Sequence, residues 1–222
     1  ELKSLSNPSM VFFINHQDME YVRNLGWEGE GGLIGISNQI AHLEATPRTN
    51  FRPLIVFTGS KASENLESLK ILIEQVYLPA RQNLPDLELH IWGGVSELAE
   101  RFRGISGVIV HGLYKDSFNI YSNAKYAIIF HSIIGGIKIK LIESIINGVV
   151  PIVDRNTADG LSGSLLQLIE VVDSPRDAVR ILSTFENDFE MYLARRSAGH
   201  GPGDTGRLDQ CAQDRWQEIV GS

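Results

Sequence analysis

The sequence predicts an α/β fold, a doubly wound parallel sheet covered by helices on both faces. From Leu54 onward, short apolar runs alternate with segments of helical periodicity. The runs are followed by glycine turns at Gly59, Gly93-Gly94, Gly112 and Gly135-Gly136, so these glycines gather on one rim of the predicted sheet. The clearest unit is Tyr126-Ala127-Ile128-Ile129-Phe130, the Gly135-Gly136 turn, a helix, and Val149-Val150-Pro151-Ile152-Val153. It reads as a βαβ unit with its glycines at the helix start.

In chain order, Val11-Phe12-Phe13-Ile14 reads as a strand. Gln17 to Leu25 reads as a helix with Met19, Val22 and Leu25 on one face and Gly26 as its C-cap. Glu28 to Pro53, rich in Gly, Asn, Thr and Pro, reads as a connector with a candidate short strand at Leu33 to Ile36. Leu54-Ile55-Val56-Phe57-Thr58 is strand-like, and Gly59-Ser60-Lys61 is its turn. Ser63 is placed to cap a helix carrying Leu66, Leu69, Ile73 and Val76. Pro85 and Asp86 lead into the strand Leu87 to Trp92, after which Ser96 to Phe102 forms a short helix. Val108 to His111 is a strand ended by Gly112, and Ser117 to Asn123 is a helical turn or two. Leu165 to Val172 holds a short helix or a last strand. Beyond Pro175 the pattern is helical to about Arg196, with Ala178, Ile181, Leu182 and Phe185 apolar. Ser197 to Gly206 has the composition of a flexible linker. Arg207 to Val220 reads as a final helix anchored by Trp216 and Ile219.

The 222 residues allow one sizeable domain or two small ones. A net charge of −7 argues against a broad nucleic-acid footprint, so no nucleic-acid partner is expected. The single cysteine, Cys211, excludes an internal disulfide framework and a Cys-rich zinc site. The histidines show no H-E-x-x-H spacing, and no D-x-D lies near a strand end, so neither metal nor cofactor is expected. No apolar run approaches the ~18 residues of a membrane span, and no signal peptide is visible, which favours a cytoplasmic protein. The chain starts at Glu1 without an initiator Met, as a fragment would.

The central helix carries the functional signal. On a helix, Gly136, Lys140, Glu143 and Asn147 fall within about 60° of one another, while the other positions are mostly Ile and Leu. Lys138 lies on the opposite, solvated side. Glycines at the helix start expose N–H groups where the helix dipole is positive, and Lys140 adds charge one turn in. That suits phosphate. Glu143, a turn further, can accept from hydroxyls. Phosphate plus vicinal hydroxyls describes a nucleotide sugar. An internal Lys–Glu pair at i, i+3 explains the same stripe and stays open at this point.

Several blocks in order carry a resemblance. They are Val56-Phe57-Thr58-Gly59-Ser60 with Asn65; Leu84-Pro85-Asp86-Leu87-Glu88-Leu89-His90-Ile91-Trp92-Gly93; Gly107-Val108-Ile109-Val110-His111-Gly112-Leu113-Tyr114-Lys115-Asp116; Tyr121-Ser122-Asn123-Ala124; and Gly136 through Val153, followed by Asp159-Gly160-Leu161. Over roughly residues 54 to 162 the chain resembles the C-terminal, nucleotide-sugar-binding domain of group 1 (family 4) GT-B retaining glycosyltransferases. The resemblance implies a Rossmann-like sheet, one half of a GT-B fold. Lys140 with the Gly135 and Gly136 amides would hold the diphosphate, and Glu143 would accept from the ribose hydroxyls. Gly112 to Tyr114 would face the base, and Gly59, with Ser60 and Lys61, would lie against the phosphates or the sugar. Catalytic residues are not assigned.

Gly135 stands where the family often has a Glu contacting the donor sugar, Ser60 where it often has Arg, and His131 where Pro is common. By the same resemblance, residues 1–50 would be the last strand–helix unit and linker of an N-terminal acceptor domain. Residues 51–175 would be the donor-nucleotide domain, and 176–222 the C-terminal helices with a Gly-rich linker. The implied partners are a nucleotide sugar, the missing acceptor domain and, through that domain, a glycan acceptor or a membrane surface. The implied reaction moves a hexosyl group from a nucleoside diphosphate to a hydroxyl with retention, the isolated chain being inactive. Two other readings compete. The loss of the Glu at position 135 favours a non-catalytic interaction or nucleotide-binding module. A dinucleotide oxidoreductase lacks its G-x-G-x-x-G after the first strand.

Overall fold

In a computed structural model the described residues are 11–13, 16–33, 52–115, 117–130, 139–158, 161 and 166–197. A first pair of strands, β1 (Val11–Phe13) and β2 (Gly31–Leu33), runs parallel around helix α1 (His16–Asn24). Gly26, at φ +92°, follows the helix as the expected cap. Within the expected connector, a strand is present at Gly31–Leu33, and the rest of the candidate strand, residues 34–36, lies outside the described residues. Its Gly-Gly start looks like turn chemistry in sequence, and only the pairing with β1 makes it a strand.

The main body is one six-stranded parallel sheet. Its strands are β3 (Leu54–Thr58), β4 (Glu88–Trp92), β5 (Val108–Gly112), β6 (Tyr126–Ile129), β7 (Val150–Asp154) and β8 (Glu170–Val172), in the spatial order β5-β4-β3-β6-β7-β8. Every neighbouring pair is parallel. This is a Rossmann-like doubly wound sheet, and the order reverses between β3 and β6, where Ile55 faces Tyr126 and Val56 faces Ala127.

The two faces explain the strand sequences. Ile55, Phe57, Leu89, Ile91, Val108, Val110, Tyr126, Ile128, Val150 and Ile152 bury on one side. They pack under α2 (Ser63–Ile71), a π-helical segment (Leu72–Tyr77) and α3 (Leu78–Arg81), with α4 (Ser96–Ala99) and the C-terminal helices beside them. On the other side Leu54, Val56, Ala127 and Val149 pack with Ile120, Tyr121 and Ala124 of the α5 region (Ser117–Tyr121). Ile129 and Val153 pack there with Leu141 of α6 (Ile139–Ile146). Central strands are therefore apolar throughout, whereas β4 and β5 alternate, leaving His90, Trp92, Ile109 and His111 half-buried or exposed.

Three local expectations change. Ser63 does not cap α2: Ala62 occupies the cap position without a side-chain bond, and the Ser63 hydroxyl donates to Glu64. The helix over 63–81 widens into the π-segment just before Pro79, which has no N–H for the ordinary bond to Gln75. The run beyond Pro175 is two helices, α8 (Pro175–Asn187) and α9 (Phe189–Ser197), because Asp188 turns extended and its side chain accepts from the Met191 N–H. Between them and α6 lies α7 (Arg155–Ala158). At 170–172 the open choice resolves as strand. The final helix expected at 207–220 lies outside the described residues.

Candidate functional site

The site forms where the strand order reverses, at the carboxyl ends of β3 and β6. The last residue of β3, Thr58, is a buried hydroxyl on the face shared with α5 and α6. Its Oγ1 lies 3.3 Å from the Tyr121 hydroxyl, and that hydroxyl donates to Glu143 Oε2 at 3.2 Å. A phenol has one proton, so with Glu143 taking it the Thr58 hydroxyl is the donor to Tyr121. Tyr114, in the loop after β5, packs on the same apolar cluster.

Electrostatics follow from this burial. Desolvation pushes the Glu143 carboxyl above its usual range, and the Tyr121 hydrogen bond partly offsets this. Burial first, and the Glu143 charge second, drive the Tyr121 and Tyr114 phenols upward, so both stay neutral donors.

A second set of bonds joins α6 to the turn after β3. Asn65, in the first turn of α2, donates through Nδ2 to the Ser60 carbonyl and to Ser60 Oγ, each at 3.1 Å. Its Oδ1 accepts from Lys140 Nζ at 3.0 Å, and the ammonium sits 5.1 Å from the centre of the Phe57 ring. Asn65 thus ties the turn to the cation of α6. Backbone packing holds that turn in place: Gly59 N–H donates to the Trp92 carbonyl, and Val95 N–H donates to the Gly59 carbonyl, both at 3.1 Å. Gly93, at φ +94°, lies so close that a Cβ there would stand 2.3 Å from the Gly59 oxygen. Glycine is required at this position both by conformation and by space.

Of the residues singled out in the sequence, the structure gathers Gly59, Ser60 and Lys140 around Asn65, and Glu143 with Tyr114 around Thr58 and Tyr121. Lys140 and Glu143 share a face of α6, as the periodicity requires. They do not pair with each other among the described residues; each reaches across to another element instead. Lys61 turns outward to Glu97 of α4 at 2.6 Å, with both side chains more than half exposed. Gly112, at φ +140°, ends β5, and its carbonyl accepts from Gly93 N–H at 2.7 Å. Gly135 and Gly136, with Lys138, lie outside the described residues. Thr58 and Tyr121 were not singled out as site residues. A hydroxyl closing an otherwise apolar strand, and a tyrosine on a buried helix face needing a partner, were their only signals.

Among the described residues no group of three His, Cys, Asp or Glu side chains could hold a metal ion. No described helix is long and apolar enough to cross a membrane.

This chain matches no protein-family model and no curated protein sequence. It does match solved structures. One is Anabaena HepE in complex with UDP and glucose, at 13% identity and TM-score 0.64, over 96% of this chain and 59% of that one. Another is TarM, at 13% identity and TM-score 0.63, over 96% and 43%. A third is WaaG, a glycosyltransferase involved in lipopolysaccharide biosynthesis, at 12% identity and TM-score 0.61, over 96% and 62%. The chain spans less than two thirds of each. At such identities the likeness establishes the fold: a Rossmann-like half of the GT-B type.

Proposed function

We propose that this chain is the donor-binding half of a glycosyltransferase, taking a nucleoside-diphosphate sugar at the β3–β6 switch point. The observation that supports it most is the convergence on that point of Lys140 and Glu143. A cation held beside the Ser60 turn suits a diphosphate. A fixed carboxylate 3.2 Å from a buried phenol suits hydroxyl donors. UDP-bound HepE, with the same fold, favours a nucleotide sugar as the ligand class. The expected reaction moves a hexosyl group to a hydroxyl acceptor with retention. The acceptor would bind an N-terminal domain of which residues 1–50 are the last part, and that domain would supply any contact with a glycan or a membrane surface. No cofactor is called for, the nucleotide sugar being a substrate.

Gly135, in place of a sugar-contacting Glu, favours a second reading, a module that keeps nucleotide binding without transfer. A thermal-shift screen tests the shared claim. UDP, GDP, ADP and their hexose derivatives are run against wild type, Lys140→Ala and Glu143→Gln. Stabilisation by one base, lost in both variants, is expected. No stabilisation of wild type at millimolar nucleotide contradicts nucleotide binding by this chain. Binding without transfer in the full-length protein selects the module.

A further inference from the structure

Glu143 has company that a ribose-binding carboxylate does not strictly need. The Tyr121 ring is buried, and its helix is held by Ile120 and Ala124 in the cluster under β3 and β6. Its hydroxyl is therefore a fixed point, not a mobile donor. Behind it stands Thr58, itself fixed as a strand residue paired in register with Trp92. A glutamate on a helix face has several rotamers, and fixing one costs side-chain entropy. A donor from a rigid neighbour selects one rotamer before any ligand arrives, and a chain of hydrogen bonds strengthens each member.

We propose that Tyr121 is a positioning residue for Glu143: with Thr58 behind it, it presets the carboxylate so that the site prefers ribonucleoside diphosphates to their 2′-deoxy counterparts. This rests on the switch point being a nucleotide site. Tyr121 occupies Oε2, and the carboxylate retains acceptor capacity for a ribose hydroxyl. A deoxyribose leaves part of that capacity unmet in a half-buried place, and such a loss discriminates strongly.

Among the described residues, few groups face Glu143. Tyr121 comes from α5, Tyr114 from the loop after β5 and the neutral Thr58 from β3, while Lys140 on its own helix is directed to Asn65. Without the Tyr121 proton the carboxylate keeps its desolvation and loses the bond that opposes it. Its pKa then rises further, and protonation at a given pH removes more acceptor strength.

The test measures dissociation constants for UDP, GDP and ADP and for their 2′-deoxy forms. It uses wild type, Tyr121→Phe, Thr58→Val, Glu143→Gln and the Tyr121→Phe/Glu143→Gln pair, across acid to neutral pH. Circular dichroism and unfolding midpoints verify that the variants fold. Wild type should prefer the ribo form. Tyr121→Phe should cut that preference about threefold to tenfold, with deoxy binding little changed, and lose it at higher pH than wild type. Thr58→Val should shift it less in the same direction, and the double variant should match Glu143→Gln. An unchanged ribo-to-deoxy ratio in folded Tyr121→Phe, or an equal weakening of both ligands, overturns the positioning role while leaving the nucleotide site intact. Wild type that binds without ribo preference also overturns it. If wild type binds none of the six, the nucleotide reading fails, and this inference fails with it.

Discussion

Lys125 offers the most demanding test of how the C-terminal helices are fastened to the sheet. It immediately precedes β6, and its ammonium contacts both oxygens of Glu186 on α8, at 2.9 and 3.1 Å. The Tyr126 hydroxyl donates to the same carboxylate at 2.6 Å, and the Tyr192 and Phe189 rings lie 5.0 and 5.6 Å from the ammonium. Only 6% of the Lys125 side chain and 14% of the Glu186 side chain reach solvent. Lys125→Met keeps an unbranched stem among the rings and removes the charge, stranding a buried carboxylate with one remaining donor. Breaking a buried pair from one side costs about 3–5 kcal/mol. The surviving Tyr126 bond places this case at the lower end, about 3 kcal/mol, or a fall in Tm of roughly 6–12 °C. Urea unfolding followed by far-UV circular dichroism measures it. In Lys125→Met/Glu186→Leu no charge is left stranded, and the loss should shrink to about 1 kcal/mol. A single-variant loss below about 1 kcal/mol, or a double variant no better than the single, refutes the reasoning.

Two further outcomes follow from the site. Gly93→Ala should destabilise by more than about 2 kcal/mol, since it combines a positive φ with a Cβ 2.3 Å from the Gly59 oxygen. A denaturation midpoint close to wild type would mean that the two turns are not packed backbone to backbone. Glu143→Gln should raise stability at neutral pH. Burial lifts the folded carboxyl above its ordinary 4.5, so its stabilising contribution is complete below that value and is lost as pH rises through the folded pKa. Gln carries no such loss and still accepts from Tyr121. The Tm of wild type should therefore fall relative to the variant between acid and neutral pH, and the two should converge under acid conditions. A gap that does not change with pH would place Glu143 in water.

The sheet was legible because its central strands bury both faces and so read as unbroken apolar runs, with glycines at their carboxyl ends. The face of α6 was legible from helical period alone, which put Lys140 and Glu143 together. What those side chains touch was not. Thr58 and Tyr121 lie 63 residues apart, and Asn65 and Lys140 lie 75 apart. These pairs meet only because β6 docks beside β3 rather than beside β5, and no local pattern encodes that choice. The break at Asp188 was hidden for a different reason: an aspartate is tolerated in a helical pattern, and its capping role appears only when its carboxylate turns to the Met191 N–H. The Ser63 cap failed because Ala62 takes the extended cap conformation one residue earlier, which puts Ser63 inside the first turn.

The most direct test of the central claim is a crystal structure of this chain grown with saturating UDP. The account predicts pyrophosphate between the Gly59-Ser60 turn and Lys140, with the ribose hydroxyls on Glu143. Nucleotide bound elsewhere, for example on the open face beside Trp92 and His111, or a switch point left empty at saturation, would contradict it.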